Sequence, residues 1–161
     1  MQRCRRAVVV GALGLLVASA QVAAQGADPR MGTWKVNVAK SKFPGEPPRS
    51  SVRKFEDLGG GWIYVTNDVV NAQGVEGGNR IVHRCDGKDY PVAAKAQTAY
   101  VSVSCNRTGA NTFALVFKAD GKVTANVTDT VSSDGRSYTF TAKGTNPQGQ
   151  AVETVQIFDR Q

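Results

Sequence analysis

The chain has 161 residues, with 20 Lys and Arg against 13 Asp and Glu, for a formal net charge of +7. This length fits one domain with a modest single core. The basic excess suggests a polyanion partner only until its position is considered, because Arg3, Arg5 and Arg6 all lie in the first six residues.

Those arginines open a leader. An uncharged apolar run, Ala7 to Ala18, follows them, and Val22-Ala23-Ala24 supplies small residues ahead of Gln25, the organisation of a secretory signal peptide. The run is about 12 residues, short of the ~20 that span a bilayer as a helix. Cys4 precedes the run, whereas a lipid-anchored lipoprotein would carry its cysteine after it. The expected division is a signal peptide at 1–24 and a single domain at 25–161, with cleavage after Ala20 as the alternative. The implied destination is the periplasm or the exterior. Removing 24 of the 161 residues leaves 137, and losing three arginines leaves 17 basic against 13 acidic residues, a net +4. The densest basic stretch, Lys40, Lys42, Arg49, Arg53 and Lys54, is interrupted by Pro44, Glu46, Pro47 and Pro48. It reads as a solvated surface loop, and no nucleic-acid partner is expected.

Along the remaining chain no stretch sustains a helical period. Short alternating runs rich in Val, Thr, Phe, Tyr and Ile are separated by Gly-containing turns, the pattern of strands and hairpins. Thr33 to Val38 is the first, with Trp34, Val36 and Val38 on one face. Lys42 to Pro48 is a Pro-rich loop. Ser51–Asp57 and Trp62–Asn67 form a hairpin through Gly59-Gly60-Gly61, and Arg80–Cys85 follows. The later strands are Tyr100–Asn106, Thr112–Ala119, Lys122–Ser132, Arg136–Thr145 and Gln150–Phe158. Asp86-Gly87, Asp120-Gly121 and Asp134-Gly135 each separate strand-like runs and predict type I′ turns, and Asn146-Pro147-Gln148-Gly149 closes a further hairpin.

Successive hairpins favour a meander, and so many strands leave exposed edges unless the sheet closes. The expected fold is all-β, an up-and-down antiparallel β-barrel of about 8–10 strands, with a β-sandwich as the alternative. On the Lys122–Ser132 run Val123, Ala125, Val127 and Val131 alternate with Thr124, Asn126, Thr128 and Thr130. One apolar and one polar face argue for an apolar inside. Asp129 and Thr154 interrupt the apolar faces and speak against a barrel inserted in a membrane.

Gly32-Thr33-Trp34 resembles the Gly-x-Trp step that opens the first strand of lipocalins and their calycin relatives. The resemblance implies that Trp34 closes one end of the barrel near a late basic residue, for which Arg160 is the match by position. The chain is also similar to small secreted bacterial proteins without an assigned activity. The shared segments are Gly-Thr-Trp running into Asn37–Phe43, Asp86–Val92, Gly144-Thr145-Asn146 with Gln148-Gly149-Gln150, and the Phe158–Gln161 ending.

Cys85 and Cys105 are the two cysteines left after the leader, an even number in an oxidising compartment, and are expected to form a disulfide. It closes a loop of about 20 residues and contributes on the order of 3 kcal/mol. His83, the one histidine, shares a face with Ile81 and Cys85. No Cys-x-x-Cys, Gly-x-Ser-x-Gly, cofactor motif or metal-ligand spacing occurs, so no cofactor or metal is expected. Glu56, Asp129 and Glu153 lie on strands and could supply paired carboxylates. A barrel of this size can hold one small apolar ligand. Trp62, Tyr64, Tyr100, Phe113, Phe117, Tyr138 and Phe140 are the aromatics able to line it, and His83 or Arg84 could add a polar contact, only one of them facing inward. The expected function is non-catalytic binding of a small hydrophobic or amphipathic molecule. The alternatives are a cell-envelope protein-interaction module and a small hydrolase or isomerase using His83 or a strand carboxylate.

Overall fold

The computed structural model describes residues 26–94, 101–145 and 149–161. Ten antiparallel strands follow one another in chain order round a closed barrel: β1 (Gly32–Val36), β2 (Ser50–Gly59), β3 (Trp62–Val70), β4 (Glu76–His83), β5 (Tyr90–Ala94), β6 (Val101–Arg107), β7 (Thr112–Ala119), β8 (Lys122–Val131), β9 (Ser137–Thr145) and β10 (Ala151–Arg160). Closure comes from β1 pairing with both β2 and β10, with Trp34 opposite Arg160 and Val36 opposite Phe158. The expected up-and-down barrel is therefore what the chain forms. The expected signal peptide at 1–24 and the 146–148 part of the last hairpin lie outside the described residues.

Local chemistry explains where strands begin and end. β1 stops two residues earlier than the alternation predicts. Asn37 caps a single 3₁₀ turn, Val38–Lys40, by accepting from the Lys40 N–H, and its own amide is held by the Asp159 carboxylate at 2.7 Å. Of the three Asp-Gly pairs only Asp120-Gly121 has both residues at positive φ, 48° and 77°, as a type I′ turn requires. At 132–136 the loop is longer, and the Asp134 carboxylate accepts from Ser132 Oγ and the Arg136 N–H. At Asp86-Gly87 the chain makes a wide loop into β5. The second two-residue turn is Gly60-Gly61, at 60° and 79°, which joins Gly59 directly to Trp62.

β5 is short and escapes the alternation pattern, and Pro91 lacks an N–H for the ladder. Among the described residues it registers with β6 at Tyr90–Val103 and Pro91–Ser102. Beside it the chain after β4 reaches past β5 to β6. Asp86 bridges to Asn106, Gly87 N–H donates to the Cys105 carbonyl at 2.9 Å, and the expected Cys85–Cys105 disulfide is formed there.

The interior is divided along the barrel axis. Trp34, Phe55, Val103, Cys105, Phe113, Val131, Tyr138 and Phe158 are buried toward the end where β1 begins and β10 finishes. Residues 26–31 fold across this end and cover it in part, with a hollow of about 370 Å³ left beside them between Asp57, Ile63, Arg84 and Phe113. Toward the opposite end inward side chains such as Phe117, Ala125, Phe140 and Ala142 are partly exposed and line a cavity. A register shift at Phe117/Lys118 changes one expected position. Ala125 pairs with inward Phe117, but Val123 pairs with outward Lys118 and is exposed instead of sharing the apolar face.

Two neighbouring glycines separate backbone necessity from mere tolerance. A Cβ on Gly78, whose φ is +129°, would meet the Asn67 carbonyl oxygen at 1.8 Å, whereas one on Gly77 meets nothing within 4 Å. Gly78→Ala is expected to destabilise the barrel by roughly 2 kcal/mol or more, and Gly77→Ala to change stability by less than about 0.5 kcal/mol. Urea denaturation of the two variants measures the difference.

Candidate functional site

The open half of the barrel contains a cavity of about 420 Å³. Its walls follow from strand parity, because successive side chains alternate between the two faces of the sheet. Ser51 and Arg53 on β2, Asn67 on β3 and Asn79 on β4 give one wall a polar stripe. Arg53 and Asn67 are register partners, as are Asn67 and Asn79. Half a turn round the ten-strand ring, β7, β8 and β9 present Leu115, Phe117, Val127, Phe140 and Ala142. A wall in which this polar stripe runs between Phe55, Val65, Val69 and Ile81 therefore faces a mostly apolar one across the lumen.

The floor is electrostatic. Arg30 is fully buried at the closed end, an arrangement that requires partners for its charge. Asp28 holds it through Nε at 3.1 and 3.2 Å and Nη2 at 2.7 Å. Asp129 meets its Nη1 at 3.5 Å, and the guanidinium lies 3.6 Å over the Phe113 ring. Burial alone would lower the Arg30 pKa, but the hydrogen bonds and charge of Asp28 together with the charge of Asp129 raise it above the ordinary value. The Arg30 carbonyl also accepts from Trp34 Nε1 at 2.6 Å. The segment is sealed from outside by Arg160, which lies 4.0 Å over Trp34 and donates to the Met31, Pro29 and Gly135 carbonyls.

From this floor a chain of polar contacts rises into the cavity. Tyr138 donates its hydroxyl proton to Asp129 Oδ1 at 2.7 Å and accepts from Arg53 Nη1 at 2.7 Å. Burial pushes the Asp129 carboxyl above its usual range, opposed by the positive charges of Arg30 and Arg53 and the Tyr138 hydroxyl. Burial raises the Tyr138 phenol well above 10, reinforced by Asp129 and opposed by Arg53. Tyr138 is thus a neutral donor across the physiological range.

His83 also faces the cavity floor, with Nδ1 3.3 Å from the Arg84 carbonyl, which fixes Nδ1 as the protonated nitrogen of the neutral ring. Burial, and then the charge of Arg30, lower its pKa to about 4. The ring comes within 4.8 Å of both disulfide sulfurs. Those sulfurs are bonded to each other and are not thiolates, so the trio lacks the anionic donors of a Cys/His metal site.

The sequence-derived ligand residues separate into groups. His83, Phe117 and Phe140 line the cavity. Phe113 and Tyr138 are buried beneath it in the packed half. Trp62, Tyr64 and Arg84 are on the outer surface, where Trp62 packs edge-on to Tyr90 and lies 5.5 Å below the Arg84 guanidinium. The reason is parity: Ile63 and Val65 take the inward positions of β3. Tyr100 lies outside the described residues. Arg53, read from the sequence as part of a solvated basic loop, is 9% exposed inside the barrel. Its two-residue spacing from inward Phe55 is the signal that places it there. Of the strand acids only Asp129 points inward, while Glu56 and Glu153 pair outside with Lys54 and Lys143.

Two outcomes follow from the floor. Asp28→Ala leaves Arg30 short of its main partner and is expected to cost about 3 kcal/mol in chemical denaturation. The single histidine makes the second directly readable by NMR. Its C2–H signal is expected to titrate near pH 4. The unfolded chain binds a proton below about pH 6.5 that the folded chain excludes until about pH 4, so stability falls through that window by about 3 kcal/mol. His83→Gln is expected to remove that fraction of the loss.

Compared with known protein families and with curated proteins, the chain matches none.

Proposed function

We propose that this chain is an exported, lipocalin-like binding protein that holds a small amphipathic molecule in the open half of its barrel without transforming it. One observation carries the reading: a cavity of about 420 Å³ inside the barrel sets Arg53, Asn67 and Asn79 across from Leu115, Phe117 and Ala142. That volume lies within the ~300–1,000 Å³ of ordinary small-molecule sites. An apolar wall rewards desolvation of a ligand's hydrocarbon surface, and the few inward polar groups fix its orientation. The barrel gives this at low reorganisation cost, since the walls are hydrogen-bonded all round and the floor is packed.

Binding without turnover is supported by the polar groups themselves. His83 is held by a backbone carbonyl, and Asp129 is engaged by Tyr138 and Arg30. Among the described residues no nucleophile–base–acid relay of the kind used in acyl transfer includes His83. Export rests on the leader, with the mature chain beginning at Gln25, and a bacterial source rests on the sequence resemblance.

The test is a titration with Nile red, a neutral apolar dye whose fluorescence rises on desolvation. Wild-type protein is expected to bind it saturably. Ala142→Trp, which fills the apolar wall, is expected to weaken binding about tenfold or more, while Val82→Trp on the outer surface leaves it unchanged. Equal binding to all three proteins, or none to the wild type, overturns the reading. Native mass spectrometry of protein recovered from its own compartment then identifies the occupant.

A further inference from the structure

We infer that the ligand is an amphipathic carboxylate whose head group is taken by Arg53. The inference rests on the binding function proposed above and names its chemical class.

Arg53 is nine-tenths buried, and it lines the cavity. A guanidinium carries five N–H donors in a rigid plane. One of Arg53's, on Nη1, goes to the Tyr138 hydroxyl. Among the described residues no acceptor meets its Nε and Nη2, and no carboxylate touches it. No fully buried side-chain nitrogen or oxygen lacks a partner, so the unpaired edge of Arg53 abuts the lumen. The face of the guanidinium is fixed by Phe140 at 4.4 Å and Phe158 at 5.1 Å. Stacking thus holds the plane and leaves its edge free, the presentation that suits two-point pairing with a carboxylate.

Arg30, also buried and stacked on a ring, differs at this edge, since Asp28 occupies its Nε and Nη2. The contrast between two buried arginines in one barrel is what marks Arg53 as incomplete. Charge limits the ligand further. Asp129 lies one hydroxyl away from Arg53, so a doubly charged anion such as a phosphate monoester would face repulsion that a monoanion largely avoids. Asn67 and Asn79 extend the polar wall beside the head group, and Phe117 and Ala142 offer apolar surface for its body across the lumen.

Pyrenebutyrate and its methyl ester are the probes, since they differ only in the charged head. Binding is followed by pyrene fluorescence to wild-type protein, Arg53→Met and Arg53→Lys, with near-UV circular dichroism recording the fold. Wild-type protein is expected to bind the acid roughly tenfold or more tighter than the ester. Arg53→Met is expected to bring the acid-to-ester ratio to about one, and Arg53→Lys to keep part of the preference. An ester that binds as well as the acid, or a preference that survives in Arg53→Met, overturns the inference while leaving the binding function intact. If neither probe binds the wild type, the binding function itself fails and this inference with it. Should the variants not fold, the wild-type acid-to-ester ratio decides alone.

Discussion

A guanidinium buried at one end of a β-barrel is the constraint around which the interior is organised. Arg30 is fully enclosed, and leaving such a charge unpaired would cost several kcal/mol. Its needs dictate what surrounds it: Asp28 two residues earlier, Asp129 from the far wall, and the ring of Phe113 against its face. Because Asp28 and Arg30 lie on the same short segment before β1, satisfying the charge also fastens that segment across the barrel end. The lid is held by electrostatics within and by Arg160 and Trp34 on its outer side.

This closure makes the barrel asymmetric. Ten strands enclose more space than an eight-strand barrel fills with its own side chains. Here aromatics crowd the half crossed by residues 26–31, which keeps a hollow of about 370 Å³ beside that segment, and the larger cavity lined by Arg53 lies in the other half. The two halves communicate through Asp129 and Tyr138, which carry the polarity of the lid up to Arg53. Arg53 belongs to the cavity by position and to the floor by hydrogen bonding. Rearrangement of the lid therefore bears on the one charged group at the cavity wall that lacks a carboxylate partner.

Much of the architecture was legible because antiparallel strands write their faces into every second residue. Glycine turns marked most of the hairpins, and the cysteine pair was readable from its even number and the expected compartment. β5 was not, since five residues containing a proline carry too little alternation. The site was less legible than the fold. On β3 the run Trp62-Ile63-Tyr64-Val65 is apolar on both faces, so bulk alone favoured the aromatics, whereas the curved wall turned Ile63 and Val65 inward. Arg30 and Asp129 are ordinary surface residue types, and nothing local reveals that they meet across 99 positions of chain. Long-range charge pairing of that kind is a property of closure and is written in no window of sequence. The cavity's opposed polar and apolar walls arise in the same way, from strands five places apart in the ring.

The route of the chain has a practical reach beyond stability. β1 starts and β10 ends at the plugged pole, where Gln161 N–H donates to the Thr33 carbonyl and the segment from Gly26 enters. Both ends of the described chain thus lie at the pole opposite the mouth. A tether at either one, whether to a surface, a reporter or another domain, would hold the barrel upright with its mouth facing away from the attachment.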